Sequence, residues 1–318
     1  MTADRHPNQR ALSTLPAELR RTTVPPHVRA WVARQAGSPV ASVRRLQGAS
    51  SAAVHAVQLE DGRRLVLRRY VWPGFLAAEP EAAQREVDAL RFAESRGLPV
   101  PEVVAADATG SEVGDGVAVL LMTFIPGRAV GEPDLERLAE VAAEVHGTEP
   151  AGFGHQYFPW YSSTTSGPPR GSIRPALWEA AIELWHDTTP AYEEVFVHRD
   201  LHPGNVLWRR GRLTGVVDWA NACRGPRGCD IAHCRANLRM LSGECAADRF
   251  LAAYENLTGV VHHPYWEIAS ILEHGPSHWT PQQLAADEPR LARALSELRP
   301  LPGRRRRAHM TQEPPEPP

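Results

Sequence analysis

Val197-His198-Arg199-Asp200-Leu201-His202-Pro203-Gly204-Asn205-Val206-Leu207-Trp208 is the stretch on which the reading of this chain turns. An apolar run, Val195 to Val197, leads into it, and Val206 to Trp208 leads out. Between them lies a polar loop with an acid, two histidines, an amide and a Pro-Gly turn. A third apolar run, Leu213 to Val217, ends on Asp218-Trp219. The last two runs, separated by Arg210-Gly211-Arg212, read as a β-hairpin. Asp200 and Asn205 then sit at the mouth of the hairpin, and Asp218 arrives from its second strand. Two carboxylates and one carboxamide are hard oxygen ligands of the kind that suits Mg²⁺ carrying a polyphosphate. His202 stands beside Asp200 as a second candidate for acid–base work, or as a brace for the loop.

The chain has 318 residues, enough for two lobes with cores of their own. A formal charge of −2 gives no electrostatic reason to expect nucleic acid or a membrane surface. The first residues are polar with no apolar core of a signal peptide, and no apolar stretch approaches the roughly 20 residues of a membrane span. A cytoplasmic protein is the expectation. The four cysteines, Cys223, Cys229, Cys234 and Cys245, suit a reducing compartment. Cys229 and Cys234 alone are spaced like a zinc pair, and no second pair follows. All 35 residues counted as Lys+Arg are arginine. Any phosphate-binding cation in this chain is therefore an arginine.

Outward from the loop, the N-terminal side is rich in strand signals. Pro26 to Ala36 reads as a short helix opened by proline. Val43 to Leu46, Ala53 to Leu59 and Leu65 to Arg69 read as strands, the last two joined by the Asp61-Gly62 turn. Gly48-Ala49-Ser50-Ser51 is either a plain turn or a small-residue loop whose N–H groups approach a phosphate. Pro80 to Ser95 is a helix with Ala83, Val87, Leu90 and Ala93 on one face. Its Glu86, one step from Val87, reads on its own as a solvated acid. Val117 to Ile125 is a buried strand running into Pro126-Gly127, where a lobe boundary is expected. Backbone groups from Thr123 to Ile125, leaving the sheet there, are expected to be free for an adenine edge.

Beyond that hinge the period becomes helical. Helices are expected over Leu135 to Val145, Pro175 to Asp187, Ile231 to Leu241, Ala246 to Leu257 and Trp266 to Glu273. The irregular segment from Phe153 to Arg174, with Tyr157, Trp160 and Tyr161, reads as a substrate-side lid. Asp230 reads as the N-cap of its helix. The tail with Arg304 to Arg307 is low in complexity.

With the loop, Asp218, Glu86 and the hinge in chain order, the sequence resembles the aminoglycoside phosphotransferase / choline kinase-like family, over roughly Ala41 to Leu257. The resemblance implies an α+β, protein-kinase-like bilobal fold: a small antiparallel-sheet N-lobe with one helix, then a mostly helical C-lobe. Together with the polar start, the Pro126-Gly127 boundary and the low-complexity tail, the expected organisation is a leader and short helix over 1–38, a nucleotide-binding lobe over 39–125, a catalytic and substrate lobe over 126–300 and a disordered tail over 301–318. Such enzymes move the γ-phosphate of ATP onto a hydroxyl of a small molecule, with Mg²⁺.

Carried over by position, Asp200 corresponds to the catalytic base, and Asn205 and Asp218 to the Mg²⁺ ligands. Arg68 corresponds to the cation on the phosphates with Glu86 as its partner, Ser50 and Ser51 to the phosphate loop, and Thr123 and Ile125 to the adenine hinge. Resemblance to kinase-like folds adds for Asp230 a role as a brace for the polar loop, compatible with capping its helix. The implied partner is a small hydroxylated molecule, with no nucleic acid or membrane, in a monomer or homodimer. Three residues depart from the commoner kinase pattern. Arg68 stands for lysine, Arg199 stands where small-molecule kinases often have glycine, and Asp218-Trp219-Ala220 replaces Asp-Phe-Gly. The segment after Asp218 lacks the Ala-Pro-Glu motif of protein kinases. A protein kinase of the same fold and a non-catalytic nucleotide-binding module are the alternatives. For the acceptor, Asp230, Glu267 and Glu273 are candidate acids, near Tyr265 and Trp266, and equally ordinary surface residues.

Overall fold

The structure is a computed structural model that describes residues 23–46, 51–159, 167–187, 189–273 and 280–298. The expectations for Ser50, Trp160, Tyr161, the leader before residue 23 and the tail lie outside the described residues.

Alternation along three consecutive runs builds the first layer. β1 (Val40–Arg45), β2 (Ala53–Leu59) and β3 (Arg64–Arg69) form an antiparallel meander, and β5 (Val119–Thr123) and β4 (Val103–Asp107) complete a sheet of order β1-β2-β3-β5-β4. Period two sends Leu65 and Leu67 of β3 to one face, where they meet Val28, Trp31 and Val32 of α1 (Pro26–Ala36). Val66 and Arg68 take the other face. Leu120 and Met122 of β5 join Val87 and Leu90 there, on α3 (Ala82–Ser95). β5 is covered on both faces, which is why it reads as an unbroken apolar run.

The fold is α+β, as expected; the expected helix α1 lies on the outer face of the sheet, and a short α2 (Pro73–Ala78), which was not expected, follows β3. Past the sheet come α4 (Leu135–His146), α5 (Pro175–Asp187), β6 (Glu194–Val197), a single 3₁₀ turn (Pro203–Asn205), the hairpin β7 (Val206–Arg209) and β8 (Arg212–Val216), and β9 (Cys223–Pro226). Helices α6 (Arg227–Ser242), α7 (Glu244–Thr258), α8 (Tyr265–Leu272) and α9 (Pro281–Leu298) follow. No helix among the described residues is long and apolar enough to cross a membrane.

The chain divides into two compact units: Met1–Phe158 with Tyr192–His262, and Pro159–Ala191 with His263–Pro318. The first holds the sheet, the polar loop and one continuous core running from Val87, Leu90 and Leu120 to Phe196, Trp219, Leu238 and Phe250. The linker after β5 is latched onto the hairpin, Arg128 and Trp208 exchanging backbone hydrogen bonds of 3.0 and 2.9 Å. In the second unit, α5, α8 and α9 pack around Trp178, whose indole N–H donates to Glu288 at 3.3 Å. Glu267 there is buried and bridged to Arg290 at 3.3 Å.

Candidate active site

Arg68 points inward because its neighbours Leu67 and Leu65 fill the outer face of the sheet. The guanidinium is buried and reaches three partners: Nε lies 3.1 Å from Glu86, and Nη2 lies 2.7 Å from Asp218 and 3.1 Å from the Ser51 hydroxyl. Burial alone would lower its pKa, but Asp218 and Glu86 outweigh that and hold it well above the usual arginine value. Glu86 is thus no solvated helix acid. It is buried on the inner face of α3, and burial pushes its carboxyl upward while Arg68, the Tyr70 hydroxyl and the Trp219 N–H stabilise the ionised form.

Tyr70 was not legible as a site residue. It lies two positions beyond Arg68, donates to Glu86 and sets its ring 5.4 Å from the Arg68 guanidinium. Tyr70→Phe is expected to leave Glu86 short of one buried donor and to lower stability by about 1–3 kcal/mol. Urea unfolding of the two proteins checks this, and an unchanged midpoint would contradict it.

The polar loop is anchored from behind by Asp230. This residue is no N-cap: α6 begins at Arg227, and Asp230 lies within its first turn. Its carboxylate is fully buried and accepts the backbone N–H groups of His198 (2.8 Å) and Arg199 (2.5 Å), while His146 Nε2 approaches at 3.1 Å. Tyr254 closes the group on His146 Nδ1 at 2.8 Å. Arg199 has φ +65° and Asp218 φ +69°, left-handed conformations that cost an L-residue roughly 1–2 kcal/mol each. The positive φ is a backbone conformation in which glycine would carry no such cost at the Arg199 position. The Arg199 side chain is buried against the rings of Tyr157 and Phe158, 4.6 and 5.1 Å away.

Within the loop, His198 Nε2 donates to the Val217 carbonyl at 2.9 Å and Nδ1 accepts the Asp200 N–H at 3.2 Å. His202 Nδ1 accepts the Gly204 N–H at 3.0 Å, and a Cβ at Gly204 would fall 2.5 Å from the His202 ring. His202 therefore braces the Pro-Gly turn, with Nε2 3.8 Å from Asp200. Asn205 turns its Nδ2 toward Asp200, 2.9 Å from the carbonyl and 3.2 Å from Oδ2. Its own carbonyl accepts the Val217 N–H at 2.9 Å, which ties the loop to the strand end carrying Asp218.

Asp200 is thus joined through Asn205 and Val217 to Asp218, Arg68 and Glu86, residues far apart in sequence. Burial would raise the Asp200 pKa, but the His233 hydrogen bond and the neighbouring His233 and His202 rings hold it at about 2. His233, on α6, carried no signal in the sequence.

The hinge differs from expectation in one respect. Thr123 is not free: its N–H donates to Glu102 O at 2.9 Å and its hydroxyl accepts the Glu102 N–H, while the Phe124 N–H donates to Arg64 O at 3.3 Å. Pairing with both flanking strands continues to the very end of β5. Ile125 lies beyond it, its side chain packed over Gly215, where a Cβ would fall 2.3 Å from Ile125 Cδ1.

A five-stranded antiparallel sheet with an inward arginine–glutamate pair, joined to a bracketed acidic loop, defines a kinase-like phosphotransferase fold. Residues 42–267 match the model of the phosphotransferase enzyme family (APH), and the chain belongs to that family. Solved structures share the fold. A thermostable mutant of aminoglycoside phosphotransferase APH(4)-Ia, in a ternary complex with AMP-PNP and hygromycin B, superposes with TM-score 0.63 at 18% identity, covering 85% of this chain and 98% of that one. A candidate fructosamine-3-kinase from Thermobifida fusca YX-ER1 gives 0.55 at 21% identity, covering 85% and 98%. The macrolide 2'-phosphotransferase MphH from Brachybacterium faecium gives 0.54 at 16% identity, covering 82% and 96%.

Proposed function

We propose that this chain transfers the γ-phosphate of ATP to a hydroxyl group of a small molecule, with 39–125 as nucleotide lobe and 126–300 as catalytic and acceptor lobe. The observation that carries the reading is the chain of contacts linking Asp200, Asn205, Asp218, Arg68 and Glu86 in one unit of the fold.

The donor set fits a nucleotide-bound magnesium ion. Asn205 uses its Nδ2 on Asp200, which leaves its side-chain Oδ1 as the donor for a cation, and Asp218 supplies a carboxylate. Two hard protein oxygens suit an ion that retains water and phosphate oxygens. Mg²⁺·ATP, when bound, supplies the activated phosphoryl group with part of its charge neutralised. Arg68 would hold α- and β-phosphate oxygens, kept extended by Glu86 and Tyr70, and Ser51 stands beside it at the phosphate loop. Asp200 orients the acceptor hydroxyl and receives its proton. A low pKa suits this work, since phosphoryl transfer asks for alignment and charge neutralisation more than for a strong base.

Incubating the purified protein with Mg²⁺·ATP and a panel of aminoglycosides, macrolides, ketosamines, amino alcohols and sugars tests the proposal. Mass spectrometry reads the gain of one phosphate. Transfer to proteins alone, or nucleotide binding without transfer to any acceptor, would overturn it.

The arginine itself is informative. Arg68→Lys keeps the charge but cannot hold Glu86, Asp218 and Ser51 together through one planar fork. With one charge-assisted hydrogen bond lost, the KM for ATP should rise about tenfold while kcat stays within a few-fold. Steady-state kinetics with varied ATP checks the split.

A further inference from the structure

We propose that His233 is a positioning residue for Asp200, a role resting on the phosphotransferase reading above. His233 projects from α6, 33 residues beyond Asp200 in sequence, and its Nε2 lies 2.9 Å from Asp200 Oδ1. A carboxylate can only accept, so the nitrogen facing it carries the proton. Asn237, one helical turn on, has its amide nitrogen 3.1 Å from the His233 carbonyl and 3.1 Å from Nε2, where it would donate only to an unprotonated ring nitrogen. With the Nε2 proton directed at Asp200, the Asn237 N–H group serves that carbonyl.

The Asp200 carboxylate is therefore gripped on both oxygens: Oδ1 by His233 Nε2–H and Oδ2 by Asn205 Nδ2–H at 3.2 Å. Two donors on opposite oxygens fix the plane of the carboxylate, and each oxygen keeps a further lone pair for the acceptor hydroxyl. Asn205 and His233 reach the carboxylate from different elements, the 3₁₀ turn and α6. Losing His233 would leave Asp200 free to rotate toward His202, whose Nε2 is already 3.8 Å from Oδ1. With Nδ1 accepting the Gly204 N–H, His202 carries its proton on Nε2 and would draw the carboxylate toward itself, out of the plane that His233 and Asn205 set.

Two substitutions separate positioning from packing. His233→Leu fills similar space without a donor, and His233→Gln places an amide N–H near the position of Nε2. The leucine variant should lower kcat by about 10- to 100-fold, the range expected when a reacting group is misplaced by ~1 Å, with the KM for ATP within about twofold. Glutamine should restore most of kcat. If leucine and wild type turn over equally, or if glutamine is as impaired as leucine, the positioning role is overturned while the phosphotransferase reading stands.

A second readout does not depend on turnover. Long-range ¹H–¹⁵N correlation spectra of the histidine rings should show His233 in the Nε2–H form with a slowly exchanging proton. Asp200→Ala should abolish that protection. A protected proton that survives the loss of Asp200, or a wild-type ring protonated at Nδ1 alone, would overturn the proposal even in a protein that transfers no phosphate.

Discussion

Asp200→Asn is expected to lower phosphate transfer by about 10²- to 10⁴-fold, the range a positioned general base contributes, with the fold intact. Asparagine matches aspartate in shape but loses the charge and one acceptor oxygen. The two donors that grip Asp200 both need acceptors: His233 Nε2 on Oδ1 and Asn205 Nδ2 on Oδ2. An amide satisfies one of them and presents N–H to the other, so the substituted group is both weaker as a base and misaligned. The buried brace formed by Asp230, His146 and the His198 and Arg199 amides is untouched. Stability should therefore change little. Initial rates with any acceptor found in the panel, alongside a thermal melt, provide the measurement. Turnover within a few-fold of wild type would remove Asp200 from the catalytic role, and a collapsed melt would show that the residue is structural instead.

What the sequence carried, and what it did not, follows from range. The hairpin and its preceding loop were legible because turn residues and strand alternation act over a few positions. Arg68 and Glu86 were legible as a pair only through their order in a family pattern, and the structure supplies the reason they meet: period two in β3 and period 3.6 in α3 aim both at the same interior. β9 was missed because Cys-Arg-Gly-Pro has no alternation of its own. It is fixed by pairing with β6 and by Arg224 exchanging backbone bonds with His155 and Tyr157. Tyr70, His233 and Asn237 were missed for the same cause, since nothing local marks a side chain whose partner lies in another element. The pairing of the Thr123 N–H was not foreseen, because the strand keeps its partners one residue further than its sequence indicates.

Asp230→Asn is expected to cost ~3–5 kcal/mol of stability, the range for removing one partner of a buried charged network. The carboxylate accepts two backbone N–H groups and faces His146, and none of these three donors is placed to find water at a fully buried site. An amide would turn an N–H group toward at least one of them. The φ of +65° at Arg199, held by one of those bonds, would lose its restraint, so catalysis should fall along with stability. The pH dependence gives this prediction its sign. Burial would raise the Asp230 pKa, but the hydrogen bond and charge of His146 and the His198 N–H outweigh it and bring the carboxyl below its ordinary value. A group with a folded pKa below its unfolded value of about 3.9 stabilises the fold above that value, and the contribution is lost as the pH falls through the folded pKa. The difference in unfolding free energy between wild type and Asp230→Asn should therefore be constant from about pH 7 down to about pH 5 and shrink below about pH 4. Urea titrations at a series of pH values measure it directly. A difference that widens toward acid would mean that the folded carboxyl titrates above its unfolded value, and the brace behind the catalytic loop would then be strongest on a neutral acid instead of a charge.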